Sequence, residues 1–266
     1  MSGSVFKPER ELILVRAILV LSAALLTAAW GCGDDVSPNS PSPADALTGS
    51  ATSANIDFFF SQGDSVETDR QEAFHAWVVN QLQIVPPRRL QYRKYRDRAH
   101  MQRVTGQLTN GWADPPAWTA HSIWTWDAHE PVHVYTAVIG RPSDFFNEGI
   151  AVALSVDPSA GRFVSLWNNT PIDDIARSLH RTGTLPAIPE IVETEAFRRL
   201  PDQTSYPAAG SFIGYVLRTS GMDAMRTFFQ SSSRADTQAI IASRFRDAFG
   251  RSLTDAEAGW RAFLGG

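Results

Sequence analysis

His129-Glu130-Pro131-Val132-His133 is an H-E-x-x-H string, and Glu148 follows fifteen residues after His133, within Asn147-Glu148-Gly149. Residues four apart on a helix share a face, so His129 and His133 can turn two imidazole nitrogens toward one metal ion. Glu130 then lies beside that ion, where a carboxylate can take a proton from a bound water. Glu148 can close the ligand set. Two imidazoles, one carboxylate and an open position for water make the donor set of a catalytic zinc site. The same string also arises by chance, and the bland alternative is a surface helix carrying an incidental His pair.

The segment after the motif strengthens the metal reading. Gly140-Arg-Pro-Ser-Asp-Phe-Phe-Asn-Glu-Gly-Ile-Ala-Val-Ala-Leu154 reads as a loop followed by a helix. Pro142 ends the preceding element, Ser143 suits an N-cap, and Asp144 favours the positive helix end. Glu148 lies about one turn in, among Phe145, Phe146, Ile150, Ala151 and Leu154. A carboxylate in so apolar a stretch needs a partner, and a metal ion supplies one.

Pro131 is the feature that strains this picture. Proline inside a helix costs roughly 3 kcal/mol and biases the residue before it, here Glu130, away from helical angles. The least costly solution is a helix that begins late, near Asp127 or Ala128, so that Pro131 falls in the first turn where no N–H is needed.

Four stretches carry a resemblance to a known family. They are His129-Glu130-x-x-His133, Phe146-Asn147-Glu148-Gly149-Ile150-Ala151, Tyr206-Pro-Ala-Ala-Gly-Ser-Phe-Ile-Gly-Tyr-Val-Leu217 and Ala256-Glu-Ala-Gly-Trp-Arg-Ala-Phe-Leu264. Together they resemble the peptidase MA-like group of gluzincin metallopeptidases, from about Phe58 to the end of the chain. The resemblance implies a zincin-like fold with His129, His133 and Glu148 as zinc ligands and Glu130 as general base. It also matches Tyr206 to a tyrosine that could donate a hydrogen bond to the oxyanion of the reaction. The simpler role for Tyr206 is packing with its hydroxyl in water. Pro131 departs from the family pattern, which usually has a helix-compatible residue there.

Composition and the N-terminus give the chain an address. Of 266 residues, 43% are hydrophobic, with 8 Trp and 15 Phe, enough for one sizeable core. A formal net charge of −4 gives no electrostatic case for nucleic acid. The basic run Arg93-Lys94-x-Arg96-x-Arg98 fits a solvated strand or loop. Lys7, Arg10 and Arg16 precede the apolar run 17–30, the layout of a signal peptide over 1–31. Gly31-Cys32-Gly33 follows, and Cys32 is the only cysteine. Its position fits a bacterial lipobox with Cys32 as the lipid attachment point; ordinary cleavage after Gly31 is the alternative. The Ser/Pro/Asp-rich stretch 32–54 reads as a tether, and 55–266 as the peptidase MA-like domain.

Within that domain Ile56–Phe60 and Arg89–Tyr95 read as strands, and Thr68–Ile84 as a helix. Gly106–Pro116 reads as loop. Ser122–Trp126 is β-prone and runs into the metal motif; the resemblance implies that it edges the cleft, where a peptide could pair with it. Helices are expected over Ile172–Leu179, Pro189–Leu200, Tyr206–Thr219, Met222–Gln230, Thr237–Phe249 and Asp255–Leu264, the last opened by a capping box at Thr254…Glu257. The expected fold class is α+β: a small N-terminal mixed sheet, its edge strand over the H-E-x-x-H helix, then a mostly helical half. His121 can line the cleft or be a hydrogen-bonded loop residue. Asp127 can cap the metal helix or orient a ligand imidazole.

These residues lead to the expectation of an exported chain of the bacterial cell envelope, anchored to the membrane at Cys32 and monomeric. It would hydrolyse peptide or protein substrates with Zn2+. One rival is a cell-surface binding protein of the same fold whose catalysis Pro131 has impaired. Another is an envelope lipoprotein without metal.

Overall fold

A computed structural model describes residues 45–266. Residues 1–31, expected to be a signal peptide, the expected lipid site Cys32 and the expected tether as far as residue 44 lie outside the described residues. The fold is α+β, a five-stranded mixed sheet followed by a helical C-terminal half. No helix among the described residues is long and apolar enough to cross a membrane.

The sheet order is β1-β2-β3-β5-β4. Strand β2 (Ile56–Phe60) runs parallel to β3 (Leu90–Lys94), and β3 parallel to β5 (Thr119–Ser122). Helix α1 (Thr68–Leu82) makes the crossover between β2 and β3, as a parallel pair requires. Its Phe74, Val78 and Leu82 are fully buried with Ile56, Phe58, Leu90 and Tyr92 of the strands. These alternate positions on each strand face one side, which fixes the register.

Two short strands occupy segments whose composition argues against them. Residues 45–54 belong to the folded part and not to the tether, because β1 (Gly49–Thr52) pairs antiparallel with β2. Just before it, buried Asp45 bonds Arg103, and its carbonyl oxygen faces His100 Nε2 at 3.0 Å. The presumed loop 106–116 contains β4 (Gly111–Asp114), antiparallel to β5 and at the sheet edge. A four-residue connection closes this hairpin: Asp114 Oδ1 accepts from Ala117 N, and Trp118 adopts φ 56°. The edge strand on the side of the metal motif is therefore β4, and β1 forms the opposite edge. The strand before the metal motif stops at Ser122 and lies inside the sheet, so Ser122–Trp126 is not the edge.

Helix α3 (His129–Thr136) packs against β4 and β5 and passes the chain to α4 (Asp144–Leu154). Helix α4 packs most extensively on α8 (Asp202–Ser231). Their approach needs glycine on both sides. A Cβ on Gly149 would lie 2.7 Å from Ile213 Cγ1, and one on Gly210 would lie 2.4 Å from Val152 Cγ1. Phe145, Phe146, Phe212, Phe228, Phe245 and Trp260 fill the core around this contact. Full burial of each such ring stabilises by roughly 1.5–3 kcal/mol.

Gly221, with φ 81° and ψ 171°, breaks α8 where two separate helices were expected. The expected single helix over Pro189–Leu200 is instead α6 (Ile188–Ile191) and α7 (Thr194–Arg198). Between them the Val192 carbonyl accepts from Ser143 Oγ, and Thr194 Oγ1 accepts from Asp144 N. Ser143 thus spends its hydroxyl on the neighbouring segment and does not cap α4 with its side chain. The other helices are α2 (Arg98–Thr105), α5 (Ile172–Arg181), α9 (Gln238–Phe249) and α10 (Leu253–Gly265). The cap of α10 is Ser252, which accepts from Asp255 N at 3.0 Å, two residues earlier than the expected box. The small hairpin β6 (Leu166–Trp167) and β7 (Thr170–Pro171) lies between α4 and α5.

The basic run is used locally. Lys94 pairs with Asp64, and the Arg93 guanidinium lies 5.5 Å from the Phe59 ring centroid. Arg89 bonds Asp57 and the carbonyls of Ser53, Ala54 and Ile56.

Candidate metal centre

Helix α3 begins at His129, so Pro131 is its third residue. A proline there removes no helical hydrogen bond, since the first turn's N–H groups have no intrahelical acceptor. Asp127 takes up two of the free donors instead. Its Oδ1 accepts from His129 N at 2.7 Å and Glu130 N at 3.3 Å, while Oδ2 accepts from Ser122 Oγ at 2.8 Å. Gln71 fixes the Asp127 backbone from α1, with Nε2 donating to its carbonyl and Oε1 accepting from its N–H, both at 2.8 Å. Asp127 therefore caps the helix rather than touching a ligand imidazole.

His129, His133 and Glu148 come together. His129 Nε2 lies 3.1 Å from His133 Nε2 and 3.1 Å from Glu148 Oε2, and His133 Nε2 lies 3.2 Å from the same oxygen. Ligand atoms about 2.1 Å from a zinc ion at tetrahedral angles stand about 3.4 Å apart, close to this triangle. The donor set also fits on chemical grounds: two imidazole nitrogens and an anionic oxygen, each largely shielded from solvent, converge on one point. Gly149, next to Glu148, sets this carboxylate by letting α4 settle onto α8. His133 Nδ1 is buried with no hydrogen bond of normal geometry among the described residues, and the Asn147 side chain is close enough to His133 to favour its protonated form.

Without a cation the cluster must hold protons. Burial pulls the His133 imidazolium down, but the Glu148 carboxylate outweighs it by charge and hydrogen bond and raises it to about 9. Burial likewise pushes Glu148 up, and His133 and His129 together hold it well below the carboxylate range. Glu130 behaves differently. Burial lifts it to about 7, more than the neighbouring imidazoles pull it down. A carboxylate with that affinity for protons suits a general base at neutral pH.

Glu130 faces β4 across a narrow gap. A Cβ built on Gly111 would lie 2.5 Å from Glu130 Oε1, so only glycine leaves the carboxylate where it is. Tyr206, on the first turns of α8, has its ring centroid 6.2 Å from that of His129 and 5.0 Å from that of Trp167. Burial and nearby Glu148 keep its phenol well above the ordinary range, so it remains a donor. The hydroxyl makes no hydrogen bond among the described residues.

All these groups line one cleft of about 1200 Å³. Trp112, Trp124, Trp126 and Trp167 contribute its aromatic walls. Arg70 lies 3.8 Å from the Trp126 ring centroid and bonds Glu67 and Asp157 at 2.9 Å each. His121 does not enter the cleft. It is buried on β5, 2.8 Å from the Tyr95 hydroxyl and stacked on Trp112 at 4.6 Å. His75 and His100 are likewise structural, bonded to Tyr135 and to the Asp45 segment.

Sequence reasoning did not find Gly111, Trp167 or the arginines of this cleft. A glycine in a turn-rich stretch carries no mark of the side chain it faces, and residues gathered from α4, α7 and the α8–α9 connection share no local pattern. Neither a family model nor a curated protein matches the chain.

Proposed function

We propose that the protein is a zinc-dependent peptidase of zincin-like fold, resembling the peptidase MA-like gluzincins. The observation that carries this reading is the convergence of His129 Nε2, His133 Nε2 and Glu148 Oε2 beside Glu130 on the wall of a large cleft. A zinc ion held by those three residues would polarise the scissile carbonyl and acidify a water. Glu130 takes the proton of the attacking water and returns it to the leaving amine. Tyr206 donates a hydrogen bond to the carbonyl oxygen as negative charge develops there. Trp112, Trp124 and Trp167 offer apolar surface to substrate side chains. With the export signal and Cys32 read in the sequence, this activity belongs to an envelope-anchored chain.

Pro131 gives little ground for the impaired alternative, because it lies in the first turn of α3 and leaves the helix intact. The test is Glu130→Gln. The variant should keep one zinc ion per chain and lose peptide cleavage by at least roughly a hundredfold. Cleavage at the wild-type rate would eliminate Glu130 as base, and zinc-loaded wild-type protein that cleaves nothing in a peptide library would favour the binding-protein alternative.

A further inference from the structure

The cleft lining includes two guanidiniums, those of Arg198 and Arg234, on a single buried carboxylate, and a third arginine, Arg141, with no ion pair among the described residues. Asp144, 3% exposed, accepts from Arg198 Nε, from Arg234 Nε at 2.7 Å and from Arg234 Nη2 at 3.1 Å. A parallel backbone bridge between Arg141 and Ser233 sets the Arg141 backbone next to the segment that carries Arg234. Arg141 is exposed and has no ion pair or side-chain hydrogen bond among the described residues. Arg198 is engaged through Nε alone, which leaves both its terminal nitrogens free, and Arg234 keeps Nη1 free. All three side chains line the cleft. Asp202, exposed, is a further acid in the cleft lining, and exposed Glu195 lies within electrostatic range of Arg234.

Neutralising Asp144 takes one arginine, and Arg234 alone provides two hydrogen bonds to it. The additional guanidiniums are more than the fold requires. Asp144 instead holds two of the planar forks in fixed orientation, which lowers the cost of ordering them around an anion. The location is also specific. Asp144 and Glu148 are four residues apart on α4, so their Cβ atoms stand about 5–6 Å apart on one face. That separation corresponds to one or two residues of extended peptide, at about 3.3–3.6 Å each.

We propose that Arg141, Arg198 and Arg234 form a subsite for a carboxylate carried by the substrate just beyond the scissile bond. The group is either the C-terminal carboxylate or an acidic side chain, taken by the paired N–H donors that match its two oxygens. This inference rests on the peptidase reading of the cleft and names the substrate class for it.

The test measures binding, so that turnover is not needed. Full-length Glu130→Gln protein is titrated with short peptides ending in a free acid or an amide, and with amidated peptides carrying Glu or Gln at the final position. Tryptophan fluorescence is the readout, with Trp167 beside Tyr206 in the cleft. The free acid or the Glu peptide should bind at least roughly tenfold more tightly than its neutral counterpart. A preference confined to the free acid assigns the subsite to a C-terminus, and one shown by the amidated Glu peptide assigns it to a side chain. Adding Arg141→Gln should bring the ratio close to one with zinc content unchanged; Arg141 is chosen because it supports no other residue. Equal binding of charged and neutral peptides overturns the subsite, and so does a ratio that survives Arg141→Gln. Zinc content, measured on the same samples, reports the metal reading separately: protein that takes up no zinc yet prefers carboxylates retains the subsite and loses the peptidase.

Discussion

Replacing Gly111 by Ala should separate the proposed base from the metal ligands. A Cβ at that position stands 2.5 Å from Glu130 Oε1, 2.7 Å from Cγ and 2.9 Å from Cδ. Favourable carbon contacts begin near 3.5 Å, so the Glu130 side chain must retreat by about 1 Å. Glutamate can do this by bond rotation, at about 1 kcal/mol of stability. The catalytic cost is larger. A 1 Å misplacement of a reacting group costs on the order of 10²-fold, or about 2.7 kcal/mol of transition-state stabilisation. None of the proposed zinc ligands is among the atoms nearest that Cβ. The expected result is kcat reduced about a hundredfold, KM nearly unchanged, one zinc ion retained and a melting temperature within a few degrees of wild type. Steady-state kinetics, metal analysis and thermal unfolding on one preparation measure all four. A zinc-loaded Gly111→Ala protein with wild-type kcat would refute the reasoning, and loss of zinc would show that β4 supports the ligands instead.

Two further predictions concern protons. Metal-free His133, raised to about 9 by Glu148 against the pull of burial, is protonated at pH 7, whereas zinc needs a bare nitrogen. Zinc binding at pH 7 should therefore release at least one proton per ion, the full one from His133 and part of another from Glu130, read by calorimetry in buffers of different ionisation enthalpy, and the His133 share should vanish above its range. No release at neutral pH contradicts the cluster as described. His121 is neutral in the fold because burial, with Arg93 adding to it, depresses its imidazolium to about 4 from 6.5. The unfolded chain binds that proton first, so stability is intact above pH 6.5 and declines as pH falls toward 4, by up to about 3 kcal/mol. Urea unfolding across that range should show the decline, and His121→Gln should flatten it; an unchanged slope in the variant rules His121 out as the cause.

The metal motif was legible because its information is local. His129 and His133 sit one turn apart, and the cost of Pro131 pointed to a helix that begins late, near Asp127 or Ala128; the fold starts it at His129, with Ala128 as the N-cap. The apolar flanks of Glu148 likewise pointed to a partnered carboxylate. Strand β2 followed from its β-prone aromatic run, and strand β3 and most of the helices from periodicity. What failed depended on pairing at a distance. Gly-Ser-Ala-Thr and Gly-Trp-Ala-Asp hold too few β-forming residues to suggest strands, yet β1 and β4 form because β2 and β5 offer free edges. Residues 188–198 have helical composition, but Ser143 and Asp144 of a distant segment take the hydrogen-bonding groups at the break. Arg198 and Arg234 meet at Asp144 only after α4, α7 and the α8–α9 connection have packed, so no stretch of sequence displays them together.

Zinc stoichiometry tests the central claim most directly. Purified full-length protein, stripped and reconstituted, should hold one zinc ion per chain, and the His129→Ala/His133→Ala double variant and Glu148→Ala should each lose it while remaining folded. Wild-type zinc content in the double variant, or no zinc in the wild-type protein, would contradict the account.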